Sequence, residues 1–486
     1  MKIAFVASEA FPYAKSGGLA DVAGTLPKVL ESLGCEVKLF LPKYNLIDAQ
    51  KHQLQFIHNL IIPVHVAGET HSVYLYQSKL PGSNVEVNFV DCPHYFSRGK
   101  IYTNDYDEDE RFILFNKAVV ELLQRFNWPP DIIHCNDWQA GLIPLYLNDN
   151  YNWDKLFQKT ATVYTIHNIG YQGQFSDDTF NKSEINKEII NNAAPGLPGH
   201  FSFMKNGILF SDIINTVSQT YALEILTPEY GAGMEKILNE RRVDLFGIVN
   251  GIDYSEWNPL TDENIPFHYT AKKIAGKEKT KKYLLESFNL NYDKDTPVIG
   301  IISRLVGQKG FDILAQSIHN LMQLNAHWVI LGSGEDRFED LFRSLTYSYP
   351  HKAASYLGYN NYLSHLIEAG SDMFLMPSRY EPCGLNQLYS LRYGTVPIVR
   401  KTGGLADTVT DWHDLLSFGN DSGNGFSFSD YSAQTLLTTV QRAVETFNDK
   451  KTWKKIQRNG MLKNYSWEHS AKEYLDLYRR AIEKRK

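Results

Sequence analysis

Two stretches of this chain repeat one arrangement of groups suited to holding an anion. Lys15-Ser16-Gly17-Gly18-Leu19-Ala20-Asp21 lies near the start, and Lys401-Thr402-Gly403-Gly404-Leu405-Ala406-Asp407 near the end. Each follows a short β-type run and opens a segment with helical spacing. Glycines let a backbone approach a phosphate closely, and a helix N-terminus offers unpaired N–H groups and a partial positive charge. One such turn alone is an ordinary connection between strand and helix. Two copies, one in each half, point to a ligand held between the halves.

The strongest basic pair is Arg304 and Lys309, in Ser303-Arg304-Leu305-Val306-Gly307-Gln308-Lys309-Gly310. Both stand at a strand end, just before a helix start. Arginine forks two phosphate oxygens and lysine adds a point charge, so the pair suits a diphosphate leaving group. Glu381, in Arg379-Tyr380-Glu381-Pro382-Cys383-Gly384-Leu385, stands at a strand-to-helix junction. It fits two roles equally, an acceptor for sugar hydroxyls or a first-turn helix cap. Asp137 and His167 share a position at strand C-terminal ends, where open α/β sheets bind ligands. Tyr359, after Gly358, reads as core more readily than as a stacking platform. No G-x-x-x-x-G-K-[ST] motif occurs, and Gly332-Ser333-Gly334 falls short of a dinucleotide fingerprint. No ligand cluster argues for a metal, and no cofactor is expected.

The elements that must position these groups alternate in type. Residues 2–7 read as a buried strand. Leu19 to Leu33 form a helical stripe that Pro27 is expected to bend, and Glu36 to Leu41 form the next strand. Further strands are expected at Ser72–Tyr76, Val85–Val90, Asp131–His134, Thr160–Ile166, Ile213–Val217 and Gly247–Asn250. Residues 170–207, rich in Gly, Asn and Pro, read as a lid or binding segment. A loose polar stretch from Asn250 to about Lys273 marks a change of domain. The same grammar then restarts, with strands at Pro297–Ser303, Trp328–Leu331, Ser355–Leu357, Asp372–Met376 and Val396–Val399. Helices follow from Ser432 to Lys484, and a chain end of this kind can pack back on the first domain.

Composition sets the outer bounds. A chain of 486 residues is too long for one ordinary core. With 43% hydrophobic and 21% charged residues and a net charge of −6, nothing points to nucleic acid or an anionic membrane as partner. The four cysteines are scattered, which reads as reduced thiols in a cytosolic protein. No run approaches the roughly 18–20 apolar residues that span a bilayer. The start of the chain passes directly into a strand, without the apolar core of a signal peptide.

Taken in order, Lys15 to Val22, His134-Cys135-Asn136-Asp137-Trp138, Thr165-Ile166-His167-Asn168, Asn250-Gly251-Ile252-Asp253, Arg304 with Lys309, Glu381 to Leu385, and Thr402 to Leu405 resemble the bacterial glycogen synthase and plant starch synthase family. The likeness spans nearly the whole chain and is strongest to bacterial-type enzymes that use ADP-glucose. Ser16 stands where many members have threonine.

The resemblance implies a GT-B fold, two doubly wound Rossmann-like domains with a deep cleft between them. The domains would be residues 1–252 and 253–462, with a helix at 463–486 returning to the first. It implies a retaining glucosyltransferase that moves glucose from ADP-glucose, with UDP-glucose as the alternative donor. The acceptor is the non-reducing 4-hydroxyl of glycogen or another α-1,4-glucan primer. By the same match, Lys15, Gly17 and Gly18 approach the donor diphosphate, which Arg304 and Lys309 also bind. Tyr359 stacks on the base. Glu381, with Cys383, Gly384 and Leu385 after it, holds the glucose hydroxyls, and Thr402, Gly403 and Gly404 offer backbone amides. His167 sits beside the reacting sugar, while Asp21, Asp137 and Asn250 line the pocket. The implied mechanism is front-face substitution through an oxocarbenium-like state, rather than attack by Glu381 as a covalent nucleophile. The implied location is the cytoplasm, or the plastid stroma for a plant-type enzyme. A transferase with another acceptor and a catalytically silent glucan-binding paralogue are the competing readings. The second predicts loss of Lys15, Arg304, Lys309 or Glu381, and all four are present.

Overall fold

Short runs such as Lys2–Val6 and Ile132–Asn136 are buried along almost their whole length. That is the pattern of parallel strands covered by helices on both faces. The computed structural model describes residues 1–193 and 201–486. The chain divides into one unit of Met1–Gly251 with Trp467–Lys486 and a second of Ile252–Ser466. These divisions lie one and four residues from the ones expected at 252 and 462.

In the first unit the strands are β1 (Lys2–Val6), β2 (Glu36–Pro42), β3 (Gln55–Val66), β4 (Glu69–Lys79), β5 (Glu86–Asp91), β6 (Ile132–Asn136) and β7 (Ala161–Ile166). A small antiparallel pair follows, β8 (Gln174–Phe175) and β9 (Phe201–Ser202), and then β10 (Ile213–Thr216) and β11 (Leu245–Gly247). Nine of them form one sheet in the order β11-β10-β7-β6-β1-β2-β5-β4-β3. Pairing is parallel except where β4 meets β3 and β5. The order reverses between β1 and β6. The helix Gly18–Ser32 after β1 continues through Pro27 and buries Leu19, Val22, Ala23, Leu26 and Leu30.

In the second unit β12 (Val298–Leu305), β13 (His327–Gly334), β14 (Ala353–Leu357), β15 (Met373–Met376), β16 (Val396–Arg400) and β17 (Phe426–Phe428) form an all-parallel sheet. Its order is β14-β13-β12-β15-β16-β17. Counted within the unit this is 3-2-1-4-5-6, the doubly wound order, which reverses between β12 and β15.

The last helix, Trp467–Arg485, belongs to the first unit and buries Trp467, Ala471, Tyr474, Leu477, Tyr478 and Ala481 in its core. Polar contacts set its register. The Tyr478 hydroxyl lies 2.8 Å from His134 Nδ1, and His134 Nε2 lies 2.7 Å from the Thr165 hydroxyl. Asn215 donates to the Tyr474 hydroxyl at 3.2 Å, and Ser470 donates to the Val249 carbonyl at 2.8 Å. His134 is fully buried, and that burial holds its ring neutral, with a pKa lowered to about 3.

Three expectations need correction. The strand expected at Gly247–Asn250 ends at Gly247 and begins earlier, because Leu245–Gly247 is the part that pairs with β10. The stretch after Asn250 is not loose. Trp257 stacks between the rings of His365 and Tyr389, each at 3.8 Å, and Asp262 accepts from His365 Nδ1 at 2.8 Å and from the Tyr393 hydroxyl. The polar composition that suggested a linker serves this buried cluster. Within 170–207, Thr179–Ser183, Lys187–Ala193 and Phe203–Phe210 are helical, while residues 194–200 lie outside the described residues. No helix among the described residues is long and apolar enough to cross a membrane.

Tyr478→Phe removes the hydroxyl that meets His134 and leaves a buried ring nitrogen unpaired. The expected cost is about 1–2 kcal/mol, read as a lower urea midpoint for the transition that reports the first unit.

Candidate functional site

The loops that leave β1 and β6 flank the reversal of strand order in the first sheet, where open α/β sheets leave a crevice. The loop after β1 carries Glu9, which is 3% exposed. Its carboxylate accepts the main-chain N–H of Ser16 and, at 3.2 Å, that of Gly17. It also takes the hydroxyls of Ser16 at 3.1 Å and Tyr102 at 3.0 Å. A helix start leaves its first N–H groups without partners, and here Glu9 takes the amides just ahead of it. The Gly17 amide expected to face a donor phosphate is therefore already engaged. Gly18 begins the helix itself. Lys15 places Nζ 2.6 Å from Asp21 and stays 42% exposed. Burial pushes the Asp21 carboxyl up, and Lys15 draws it back in part.

Asp137 follows β6 with φ 54° and ψ −176°, backbone that costs a residue other than glycine about 1–3 kcal/mol. In return its carboxylate accepts the main-chain N–H of His167 at 2.8 Å and of Asn168 at 3.4 Å. Burial pushes this carboxyl up to about 7. The same burial keeps the His167 ring neutral, at about 3, and its Nε2 lies 2.9 Å from Asn136 Oδ1. Asp137 and His167 thus form one assembly across the ends of β6 and β7. Asn250 is buried, and its Oδ1 has no hydrogen-bond partner among the described residues.

In the second unit the loops after β12 and β15 flank the corresponding reversal. Lys309 Nζ lies 2.7 Å from Glu381 Oε2, which the Ser378 hydroxyl also reaches at 2.9 Å. The two loops are tied further by Arg379 N to the Gln308 carbonyl at 2.8 Å and Gln308 Nε2 to the Tyr380 carbonyl at 3.2 Å. Glu381 is 6% exposed, and no hydrogen bond falls on its Oε1 among the described residues. The next helix begins only at Asn386, so Glu381 is not a helix cap. Arg304 is exposed, and its side chain makes no ion pair or hydrogen bond among the described residues.

Gly403 and Gly404 press against this turn from β16. With φ 45°, a Cβ on Gly403 would lie 2.0 Å from the Glu381 carbonyl oxygen, and one on Gly404 would lie 2.1 Å from that of Cys383. Only glycine permits that approach. The Gly404 amide donates to the carbonyls of Glu381 and Pro382 at 3.2 and 3.1 Å. In this copy of the repeat, that amide braces the Glu381 turn instead of facing outward. Thr402 and Cys383 are buried, and Gly384 has φ 70°. No backbone hydrogen bond falls on the amides of Gly384 and Leu385 among the described residues, and these stand ahead of the helix Asn386–Tyr393.

Tyr359 is corrected by the structure. It is 81% exposed, with a 3.4 Å hydrogen bond from its hydroxyl to Asn361 Oδ1, because Gly358 at φ 156° turns the chain out of β14 before Asn360 caps the next helix. Within the first unit the expected residues fall into two sets, Lys15 to Asp21 and Asp137 with His167. The second unit gathers Lys309, Glu381, Cys383 and the Thr402 to Gly404 turn, with Arg304 at the end of β12. Sequence reasoning missed Glu9, Tyr102, Ser378 and the role of Asn136. Glu9 left one signal, a lone carboxylate directly after a buried strand and shortly before paired glycines.

The Asp137 carboxyl sits high in the folded chain and near 3.8 when unfolded. Its burial therefore costs stability progressively as pH rises from about 4 to about 7. Asp137→Asn removes that dependence. Its advantage in Tm over the unaltered chain should grow by about 5–10 °C between about pH 5 and about pH 8, the shift that about 2–3 kcal/mol gives in a unit of this size. Calorimetry at the two pH values checks it.

Residues 2–240 match the family described as Starch synthase catalytic domain, and residues 284–460 match Glycosyl transferases group 1. The chain is 45% identical over 497 residues to glycogen synthase from Desulforudis audaxviator, covering 100% of this chain and 97% of that protein. It is 43% identical over 492 residues to glycogen synthase from Thermosipho africanus, with 100% of both covered. Among solved structures, the catalytic domain of starch synthase IV from Arabidopsis thaliana, bound to ADP and acarbose, superimposes with a TM-score of 0.90. That pair is 32% identical and 99% of each chain is covered. Sucrose-phosphate synthase from Thermosynechococcus elongatus shares the fold alone, with a TM-score of 0.60 and 16% identity. With two Rossmann-like units, the reversal-point loops described above and full-length likeness to these enzymes, the chain belongs to the glycogen synthase family.

Proposed function

We propose that the chain transfers glucose from ADP-glucose to the non-reducing 4-hydroxyl of an α-1,4-glucan, with retention of configuration. The observation that carries this reading is the Lys309–Glu381 pair, at the point where the second sheet reverses its strand order, with Arg304 at the end of β12 making no ion pair among the described residues. A diphosphate brings the negative charge that Arg304 lacks, and Lys309 adds a second cation as that charge grows on departure. Glu381 has one oxygen committed to Lys309 and Ser378, which leaves Oε1 to accept from sugar hydroxyls. The amides of Gly384 and Leu385, which make no backbone hydrogen bond among the described residues, suit hydroxyl or phosphate oxygens. ADP as the departing nucleotide is favoured by the ADP bound in the starch synthase IV structure, and the glucan acceptor by its acarbose.

On this reading Tyr359 offers its exposed ring to the base. Lys15 approaches the same diphosphate, and Glu9 holds the loop that carries it. The Gly17 amide then acts within that loop, while Gly18 and the helix start behind it face the anion. His167 and Asp137 stand beside the reacting sugar with Asp21 and Asn250 around them, and Thr402 and Gly403 complete the donor turn. The acceptor hydroxyl attacks from the face the diphosphate leaves, and the leaving phosphate takes its proton. No cofactor is invoked. The proposed location is the cytoplasm, in keeping with four buried cysteines, none of which is in a disulfide.

Chain extension of glycogen with ADP-glucose and UDP-glucose side by side tests the donor. Faster extension with UDP-glucose would overturn the preference, and none with either would overturn the activity. Arg304→Ala is expected to lower kcat by about 10²–10³ with Tm unchanged, since its exposed side chain makes no ion pair or hydrogen bond among the described residues. Lys309→Ala should match that loss and also lower stability by about 3–5 kcal/mol, because it leaves the buried Glu381 carboxylate without its cation. Near-normal turnover in both variants would sink the phosphate assignment.

A further inference from the structure

The ring of His167 is gripped by a chain of contacts that fixes which nitrogen carries its proton. Asn136 is fully buried at the end of β6. Its Nδ2 lies 3.0 Å from the Val6 carbonyl and 3.4 Å from the His134 carbonyl. Both neighbours are acceptors only, so this end of the amide must be the NH₂. Its other end, Oδ1, therefore faces His167 Nε2, at 2.9 Å. A carbonyl oxygen has no proton to give, so Nε2 must donate. No hydrogen bond falls on Nδ1 among the described residues. The main chain is held as well, because Asp137 takes the N–H groups of His167 and Asn168 while its own N–H goes to the Thr165 carbonyl at 2.9 Å.

We propose that Asn136 is a positioning residue. It locks His167 in the Nε2–H tautomer, so that Nδ1 presents a lone pair and accepts a hydrogen bond from a sugar hydroxyl. The hydroxyl donor rests on the glucosyl-transfer reading, whereas the tautomer rests on geometry alone. The locked ring is a sensor with a defined sign. It welcomes a group that donates and rejects one that only accepts, which is a stronger discrimination than an apolar wall provides. In a neutral ring the tautomer at one nitrogen is set by the partner of the other. Here that partner is an amide clamped by two main-chain carbonyls, which cannot rotate without stranding its own NH₂.

The test labels histidine ring nitrogens with ¹⁵N and reads long-range proton–nitrogen correlations in the full chain. The His167 signal is identified by its loss in His167→Gln. The expected wild-type ring is protonated on Nε2. In Asn136→Ala the single tautomer should give way to a mixture, and kcat for glucan extension should fall by about tenfold or more with donor KM changed by less than about threefold. Asn136→Asp supplies a second reading. A carboxylate beside Nε2–H stabilises the protonated ring, so turnover should fall away toward acid at a higher pH than it does in the wild type. The titratable groups nearby are Asp137, which takes the His167 N–H, His134 on β6, and Glu9, which acts on Asp137. A wild-type ring protonated on Nδ1 would overturn the proposal, as would Asn136→Ala with an unchanged tautomer and kcat within about twofold. If the alanine variant does not fold, the wild-type tautomer and the aspartate profile still decide. Because the tautomer is read without turnover, an inactive wild type would count against the glucosyl-transfer reading and leave this one standing.

Discussion

A loop that leaves a buried parallel strand has to find partners for its N–H groups before it can hold anything else. At the reversal points of both sheets, acidic residues or their carbonyls supply them. Glu9 gathers the amides of Ser16 and Gly17, and Asp137 gathers those of His167 and Asn168. In the second unit the Glu381 main chain receives Gly404, which leaves its side chain to Lys309 and Ser378. Each arrangement places a charge where little water reaches it, a cost met only by dense hydrogen bonding. Loops built this way are rigid before any ligand arrives, which is what preorganised electrostatics requires.

The two copies of the glycine motif show how alike sequences can take different work. In the first, Gly17 has an extended backbone and open surroundings, with Glu9 Oε1 3.9 Å from a would-be Cβ. Its value lies in its amide. In the second, Gly403 and Gly404 are required by close packing on the Glu381–Cys383 carbonyls. Their value lies in lacking a side chain. The helix behind the first copy runs from Gly18 to Ser32, and that behind the second only from Gly403 to Thr408.

Much of the architecture was legible because buried parallel strands announce themselves as dense apolar runs with polar residues at their ends. Strand order was not legible. It depends on which helix crosses which face, and no local pattern records that. Arg304, Lys309 and Glu381 were legible from their place at strand ends, but the contact between the last two was not, because 72 residues separate them. Tyr359 was misjudged for a related reason. Aromatic type predicts burial on average, and only the turn at Gly358 shows that this ring is outside. Asn136 was invisible, since an asparagine in a buried strand carries no role until its three partners are known. The stretch from Asn250 to Lys273 looked like a linker because its polar residues bond to partners about a hundred residues away.

The returning helix has a consequence for how the chain is made. The second unit is one continuous segment, whereas the first is interrupted and completed only by residues 467–486. During synthesis, β1 to β11 emerge first and then wait while more than two hundred further residues are added. Throughout that interval His134 and Asn215 lack Tyr478 and Tyr474, and the core surface that receives Trp467, Leu477 and Ala481 stays uncovered. The unit translated first is therefore the last to be finished. A ribosome that stops short of the final helix releases a chain whose second unit has its full sequence and whose first unit still carries an open apolar seam.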